Sequence, residues 1–158
     1  MVTGPQISLK NISLSFGEEP VFDKLNLIIQ PRDRIALVGR NGSGKSTLLK
    51  VLKGLVAQDV GDRMLSKGLS IGYMEQDPNL SKFSTLFDYV YDGASDSTLH
   101  SIEMAEKNLG VDLEVTTSAS SGGERRRAAL TKLIAGDHDV MLLDEPTNHL
   151  DIQAIEWL

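Results

Sequence analysis

The first hydrophobic positions of the chain fall at Ile7, Leu9, Ile12, Leu14 and Phe16, mostly alternating with polar residues. Successive side chains on a strand point to opposite faces, so this pattern predicts a half-buried β-strand with a bulge near Asn11, where the alternation slips. Gly17 ends the run, a second short strand is predicted over 25–29, and Pro31-Arg32-Asp33 turns the chain into the apolar run Ile35, Ala36, Leu37, Val38, a third strand. The period then changes. Leu48, Leu49, Leu52 and Leu55 recur at helical spacing, with Lys50 and Lys53 between them and Gly54 near the stop, predicting a helix over 46–55. Residues 62–65 and 69–74 have the pattern of a strand pair, and a polar loop begins at Glu75.

Two short amphipathic helices, 85–91 and 98–109, are predicted on either side of the turn-rich Asp92-Gly93-Ala94-Ser95-Asp96. The small, polar residues 116–121 form a linker, and Gly122-Gly123 opens a helix that runs to about Ile134. Val140, Met141, Leu142 and Leu143, an uninterrupted apolar run, fit a buried strand of a parallel sheet. A last helix is predicted after Asp151, and there is no internal repeat or heptad run.

Chemistry concentrates where these elements meet. After the 35–38 strand come Gly39, Arg40, Asn41, Gly42, Ser43, Gly44, Lys45, Ser46 and Thr47, which fit G-x-x-x-x-G-K-[ST], the phosphate-binding P-loop. Glycines let successive backbone N–H groups turn towards an anion, and the helix starting at Lys45 adds its positive end. Lys45 supplies a point charge for β- and γ-phosphates and Ser46 a hydroxyl ligand for Mg²⁺. A glycine-rich turn of no function is the plain alternative. The apolar run 140–143 ends on Asp144 and Glu145. A carboxylate at the C-terminal edge of a buried strand sits where ligands collect in open α/β sheets. Asp144 is expected to bind Mg²⁺ directly or through its water, and Glu145 to orient the water that attacks the γ-phosphate. A strand capped by solvated acids is the alternative there. Ser121-Gly122-Gly123-Glu124 suits either a phosphate or an ordinary serine-capped helix.

Composition bounds these readings. A chain of 158 residues is long enough to bury one core, and the absence of cysteine excludes disulfides and thiolate metal sites. No signal-like start and no apolar run of membrane-spanning length occur, which makes a cytoplasmic protein the expectation. The net charge of −6 is uneven: residues 1–75 hold ten basic against seven acidic side chains, and residues 76–158 hold six against fifteen. The acidic second half argues against a nucleic-acid-binding surface within it, because phosphate neutralisation dominates such binding. Arg125, Arg126 and Arg127 do not reverse this, since successive helical positions point about 100° apart and form no common patch.

The P-loop, Gln76 within YMEQDP, SSGGERRR, VMLLDEP and TNHLD occur in the order found in ATP-binding cassette (ABC) ATPases. TNHLD, IEWL, LDEP and FDYV make the chain resemble the ABC-F family, soluble tandem ATPases without membrane domains, and most closely its Uup-like branch. The resemblance implies an α/β fold, a P-loop NTPase of ABC type with an N-terminal antiparallel β portion and a short helical subdomain. It divides one incomplete ATP-binding domain, 1–158, into a β-rich P-loop part (1–78), a shortened helical subdomain (79–135) and the carboxylate-bearing strand with the start of the next helix (136–158).

Further roles follow from the resemblance. Phe16 matches the aromatic that stacks on adenine, although a core Phe would look the same. Gln76 matches a glutamine that senses metal and γ-phosphate. Ser121, Gly122 and Gly123 match residues that contact ATP held by an opposing cassette, and Asp151 matches an aspartate of that interface. The implied cofactors are ATP and Mg²⁺. The implied partners are a second cassette, in trans or from a longer chain, and a ribosome or nucleic acid, without membrane insertion.

Three departures stand out. Ser120 replaces the leucine that usually opens the signature, which is expected to loosen its helix. Only 44 residues separate Gln76 from Ser121, fewer than expected in this branch. The family's next strand and switch histidine have no match before Leu158, and His100, His138 and His149, expected at the surface or in loops, do not replace that histidine. The main expectation is therefore a Mg²⁺-dependent ATPase. A nucleotide-binding module with little turnover and the ATP subunit of a transporter are the alternatives.

Overall fold

The computed structural model describes residues 4–75 and 78–146. The chain divides into two compact units, residues 1–71 and 72–158.

The first unit is built on β1 (Ile7–Phe16), the middle strand of an antiparallel sheet ordered β2-β1-β3, with β2 at Glu19–Ile29 and β3 at Val60–Leu65. Ile7, Leu9, Ile12 and Leu14 are almost wholly buried. The one-residue slip between Leu9 and Ile12 is absorbed as predicted: both ladders shift register there, and Asn11 takes a φ of 52°. Bulging the strand keeps all four apolar side chains on one face. The backbone N–H freed at Asn11 donates to Asn26 Oδ1 at 3.0 Å, and Gly61 of β3 fits because a Cβ there would lie 2.4 Å from the Asn11 carbonyl oxygen.

Sequence and structure differ at four places in this unit and at its boundary. β2 begins at Glu19 rather than residue 25, because Gly17-Glu18 makes a two-residue hairpin turn and the strands pair from Phe16 and Glu19 onward. Residues 35–38 form no strand; among the described residues nothing pairs with them, and Val38 is 95% exposed. β3 pairs with β1, whereas β4 (Ile71–Met74) neighbours β5 (Val140–Leu143), so 62–65 and 69–74 are not the strand pair expected. Helix α1 spans Lys45–Lys53 and stops at Gly54, whose φ of 88° suits a left-handed C-cap. Leu55 therefore lies beyond the helix and is exposed, and Val51 joins Leu48, Leu49 and Leu52 on the buried side.

The second unit carries β4, α2 (Leu86–Tyr91), α3 (Asp96–Leu109), α4 (Gly122–Ala135) and β5. Its core joins Leu86 and Val90 of α2, Ile102 of α3 and Ala128 of α4 with Leu80, Val111 and Leu113. A second cluster gathers Met74, Leu109, Ala129, Leu130 and Leu133. Thr85 and Asp88 close a reciprocal capping box on α2, at 3.1 and 3.0 Å. In β5 only Leu142 is buried and Met141 is 48% exposed, a less enclosed strand than four consecutive apolar residues suggest; β4 is its one neighbour among the described residues.

Candidate functional site

Residues 39–47 lie in the first unit. The chain leaves Gly39 through a turn closed by the Ser43 N–H on the Arg40 carbonyl, 3.1 Å, and enters α1 through Gly44. Gly44 has a φ of 88°, and a Cβ there would come within 2.8 Å of Val21 Cγ1 and 3.1 Å of Phe22 Cε1. A Cβ on Gly39 would come within 2.5 Å of Ser43 Oγ. A Cβ at either place would crowd a neighbouring side chain, Ser43 at Gly39 and Val21 and Phe22 of β2 at Gly44. Lys45 folds back over it, its Nζ donating to the carbonyls of Gly39 (2.9 Å) and Arg40 (3.0 Å). No side chain caps α1, and its first turn holds no acid, so its leading N–H groups have no side-chain acceptor. A cation folded over an uncapped helix start, with room only for glycines, is a fit for a phosphate group.

Phe16 ends β1 opposite Glu19 and is 58% exposed, so it is not the core phenylalanine that was the alternative.

The second unit holds Ser121, Gly122, Gly123, Asp144 and Glu145. Ser121 caps α4: its Oγ accepts from the Glu124 N–H at 3.2 Å, while its own N–H and Oγ–H both donate to Glu124 Oε2 at 2.7 Å. These bonds hold the Glu124 carboxyl below the usual glutamate range, helped by the charge of Arg127. Gly122 contrasts with Gly39 and Gly44, since a Cβ on it would meet nothing within 4 Å. Local packing does not require glycine there.

Ser120 does not loosen the helix as expected. It is buried, its hydroxyl donates to the Thr117 carbonyl at 2.8 Å, and Arg125 donates through Nε to Ser120 Oγ (2.9 Å) and through Nη2 to the Thr117 carbonyl (2.9 Å). A closed polar triangle takes the place of an apolar anchor, and it gives Arg125 a structural role. Only the pairing of Ser120 with Arg125, five residues on, could have signalled it.

Asp144 follows β5 and is buried; with burial as the first cause, its charge and that of Glu75 help push the Tyr73 phenol above its ordinary value. Glu145 is half-buried with a φ of 49°, a left-handed conformation uncommon outside glycine. His138 is more than a loop histidine: half-buried, its ring fills the space that side chains on Gly72 and Gly136 would occupy, each added Cβ falling 2.5 Å from a ring atom. His100 is exposed, 4.0 Å from Glu103. Gln76, His149 and Asp151 lie outside the described residues. Among the described residues no three His, Cys, Asp or Glu side chains gather as a metal-binding group, and no helix is long and apolar enough to cross a membrane.

The sequence profile of the family described as ABC transporter matches residues 22–148. The chain belongs to that family. It is an ATP-binding cassette, of a family whose members bind ATP with Mg²⁺, hydrolyse it and work in pairs. The cassette is 44% identical to the ATP-binding protein Uup of Caulobacter vibrioides over 98% of this chain and 25% of that protein. It is 31% identical to the energy-dependent translational throttle protein EttA of Mycobacterium tuberculosis over 96% of this chain and 34% of that protein. The cassette thus spans about a quarter to a third of these relatives. An ATP-binding subunit of an ABC transporter shares its fold, with a TM-score of 0.84 at 20% identity over 96% of this chain and 70% of that one. The resemblance to the Uup-like branch drawn from the motifs holds.

Proposed function

We propose that this cassette binds ATP through residues 39–47 and, paired with a second cassette, hydrolyses it to drive a process at the ribosome or on a nucleic acid. The observation that carries the reading is the loop itself: α1 starts uncapped, Lys45 lies over the loop carbonyls, and Gly39 and Gly44 stand where a Cβ would crowd Ser43, Val21 and Phe22. In this reading Gly39, Asn41, Gly42, Ser43, Gly44 and Thr47 surround the phosphates and Lys45 shifts from the loop carbonyls to the β- and γ-phosphates. Mg²⁺ would be held by Ser46, Gln76 and Asp144 with the phosphate oxygens, and would neutralise charge on the γ-phosphate. Phe16 stacks on the adenine.

Glu145 orients a water in line with the γ-phosphate. The new bond forms from water oxygen to phosphorus as the bond to the β-phosphate oxygen breaks, giving ADP and phosphate. The left-handed backbone at Glu145 supports a functional placement, since strain of this kind collects at active sites. Ser121, Gly122, Gly123 and Asp151 serve the ATP of the second cassette; open space beside Gly122 supports an approach from outside. The name of EttA, a translational throttle protein, favours a role in translation over a transporter subunit.

The test measures binding of a fluorescent ATP analogue and Mg²⁺-dependent phosphate release by the cassette, Lys45→Ala and Glu145→Gln. Turnover lost in Glu145→Gln with binding retained is the expected result. Binding by the parent that does not depend on Lys45 would overturn the reading, and Lys45-dependent binding without turnover would reduce it to a nucleotide-binding module.

A further inference from the structure

One face of the second unit is left unused by the nucleotide reading. On α2, Phe87 and Tyr91 stand one helical turn apart with their rings stacked, centroids 4.1 Å apart and planes 19° from parallel. The core takes Leu86 and Val90 from this helix, while Phe87 is 42% exposed. Tyr91 packs in part against that core, and the exposed Phe87 ring stacks on it, so the aromatic surface that burial does not demand is the Phe87 side of the pair.

Carboxylates surround it. The Phe87 N–H donates to the Leu113 carbonyl at 2.8 Å, which brings the exposed Asp112 and Glu114 to the start of α2. From α3, Glu103 and Glu106 act on the Tyr91 phenol, raising it after the larger effect of burial. The Glu106 carboxyl is itself raised, by burial first and then by the charges of Asp112, Glu103 and Glu114. Leu99, also exposed, continues the same α3 stripe as Glu103 and Glu106 at i, i+4 and i+7. Among the described residues no Lys or Arg forms an ion pair with these acids; Lys107 stands one turn on from Glu103 and next to Glu106 in sequence, and His100 lies 4.0 Å from Glu103.

The other side of α2 shows how such a surface is completed. Lys132 lies over the Tyr89 ring, its Nζ 4.7 Å from the centroid, donates to the Tyr89 carbonyl at 2.8 Å and reaches Asp92 at 3.4 Å. Aromatic face, carboxylate and cation are all in contact there, whereas among the described residues no cation lies over the Phe87 or Tyr91 ring.

We propose that the Phe87–Tyr91 face binds a cationic polypeptide segment of a partner protein, with arginine or lysine side chains over the two rings and their charges met by Glu103, Glu106, Asp112 and Glu114. Arginine is the better match, because its guanidinium stacks on a ring while forking to a carboxylate. A nucleic-acid backbone is the wrong sign for this face. The inference goes beyond ATP binding and does not depend on it.

The test is fluorescence anisotropy of a labelled Arg-Gly repeat peptide with the full chain. Phe87→Leu, which keeps apolar volume but removes the ring, is expected to weaken binding about fivefold. Glu103→Lys with Glu106→Lys should abolish it, while Glu18→Gln with Glu19→Gln, and Lys45→Ala, should leave it unchanged. Binding that ignores Phe87→Leu, or falls as much in the Glu18/Glu19 variant, would show unspecific attraction and overturn the proposal. An RNA oligonucleotide whose binding depends on Phe87 would overturn it as well.

Discussion

Helices α1 and α4 both begin on small residues where the motifs lead one to expect phosphate, yet their first turns are finished in opposite ways. At α1 the N-cap is a left-handed glycine, no side chain accepts from the helix and a lysine stands by. At α4 Ser121 and Glu124 satisfy each other, and the carboxylate of Glu124 already occupies the Ser121 N–H and hydroxyl. An anion arriving at α1 gains the full interaction with the helix start. One that binds Ser121 must displace an internal anion of like sign. The first start is left open and the second is closed on itself, and under the proposed function the second serves only when a second cassette presents its nucleotide.

The contrast can be broken at either end. Gly44→Ala should have the largest effect: the strained φ and the Val21 and Phe22 contacts predict a loss of about 2 kcal/mol in urea unfolding, together with loss of ATP-analogue binding. Unchanged binding would mean that the cradle has slack the structure does not show. Lys45→Ala is expected to lower affinity for the analogue roughly tenfold to a hundredfold while barely moving the melt, because its bonds to the Gly39 and Arg40 carbonyls are exposed. Ser120→Ala and Arg125→Ala should each cost about 1–2 kcal/mol, and the double variant less than their sum; additive losses would show that the triangle is not a unit.

The smallest effect is predicted for Glu124→Gln, and its sign depends on pH. The folded carboxyl titrates below its unfolded value, so the stability it contributes is present above the ordinary glutamate range and disappears as pH falls through the lower folded value. Thermal melts of parent and variant should therefore differ slightly at neutral pH and converge in acid. A gap that widened in acid would contradict the capping role.

How far the sequence reached follows from the range of the interactions involved. Local signals were legible: the out-of-phase step at Asn11, the helix after Gly44, the turn between α2 and α3, and the serine start of α4 each depend on residues a few positions apart. Partner choice among strands was not. The patterns of 62–65 and 69–74 fit a pair equally well, but their partners β1 and β5 are distant in sequence. The apolar run 35–38 shows why four hydrophobic residues do not make a strand without a neighbour to receive their hydrogen bonds. At the site, the P-loop and the acidic pair 144–145 were legible by type and order, whereas the exposure of Phe16 was not, since the alternation that contains it fits a core residue as well. The Ser120–Arg125–Thr117 triangle and the Glu124 cap were not, because a serine, an arginine and a glutamate near a helix start are too common to signal their geometry.

The histidine between two glycines has one more consequence. Gly72 and Gly136 come from β4 and the loop before β5, and one imidazole lies against both, joined at Gly72 by the Leu133 side chain. Three positions 64 and 66 residues apart in the chain therefore share one piece of space. In a set of related sequences they should behave as a linked substitution group: a larger residue at either glycine should accompany a smaller one at position 138, and His138 should persist where both glycines do.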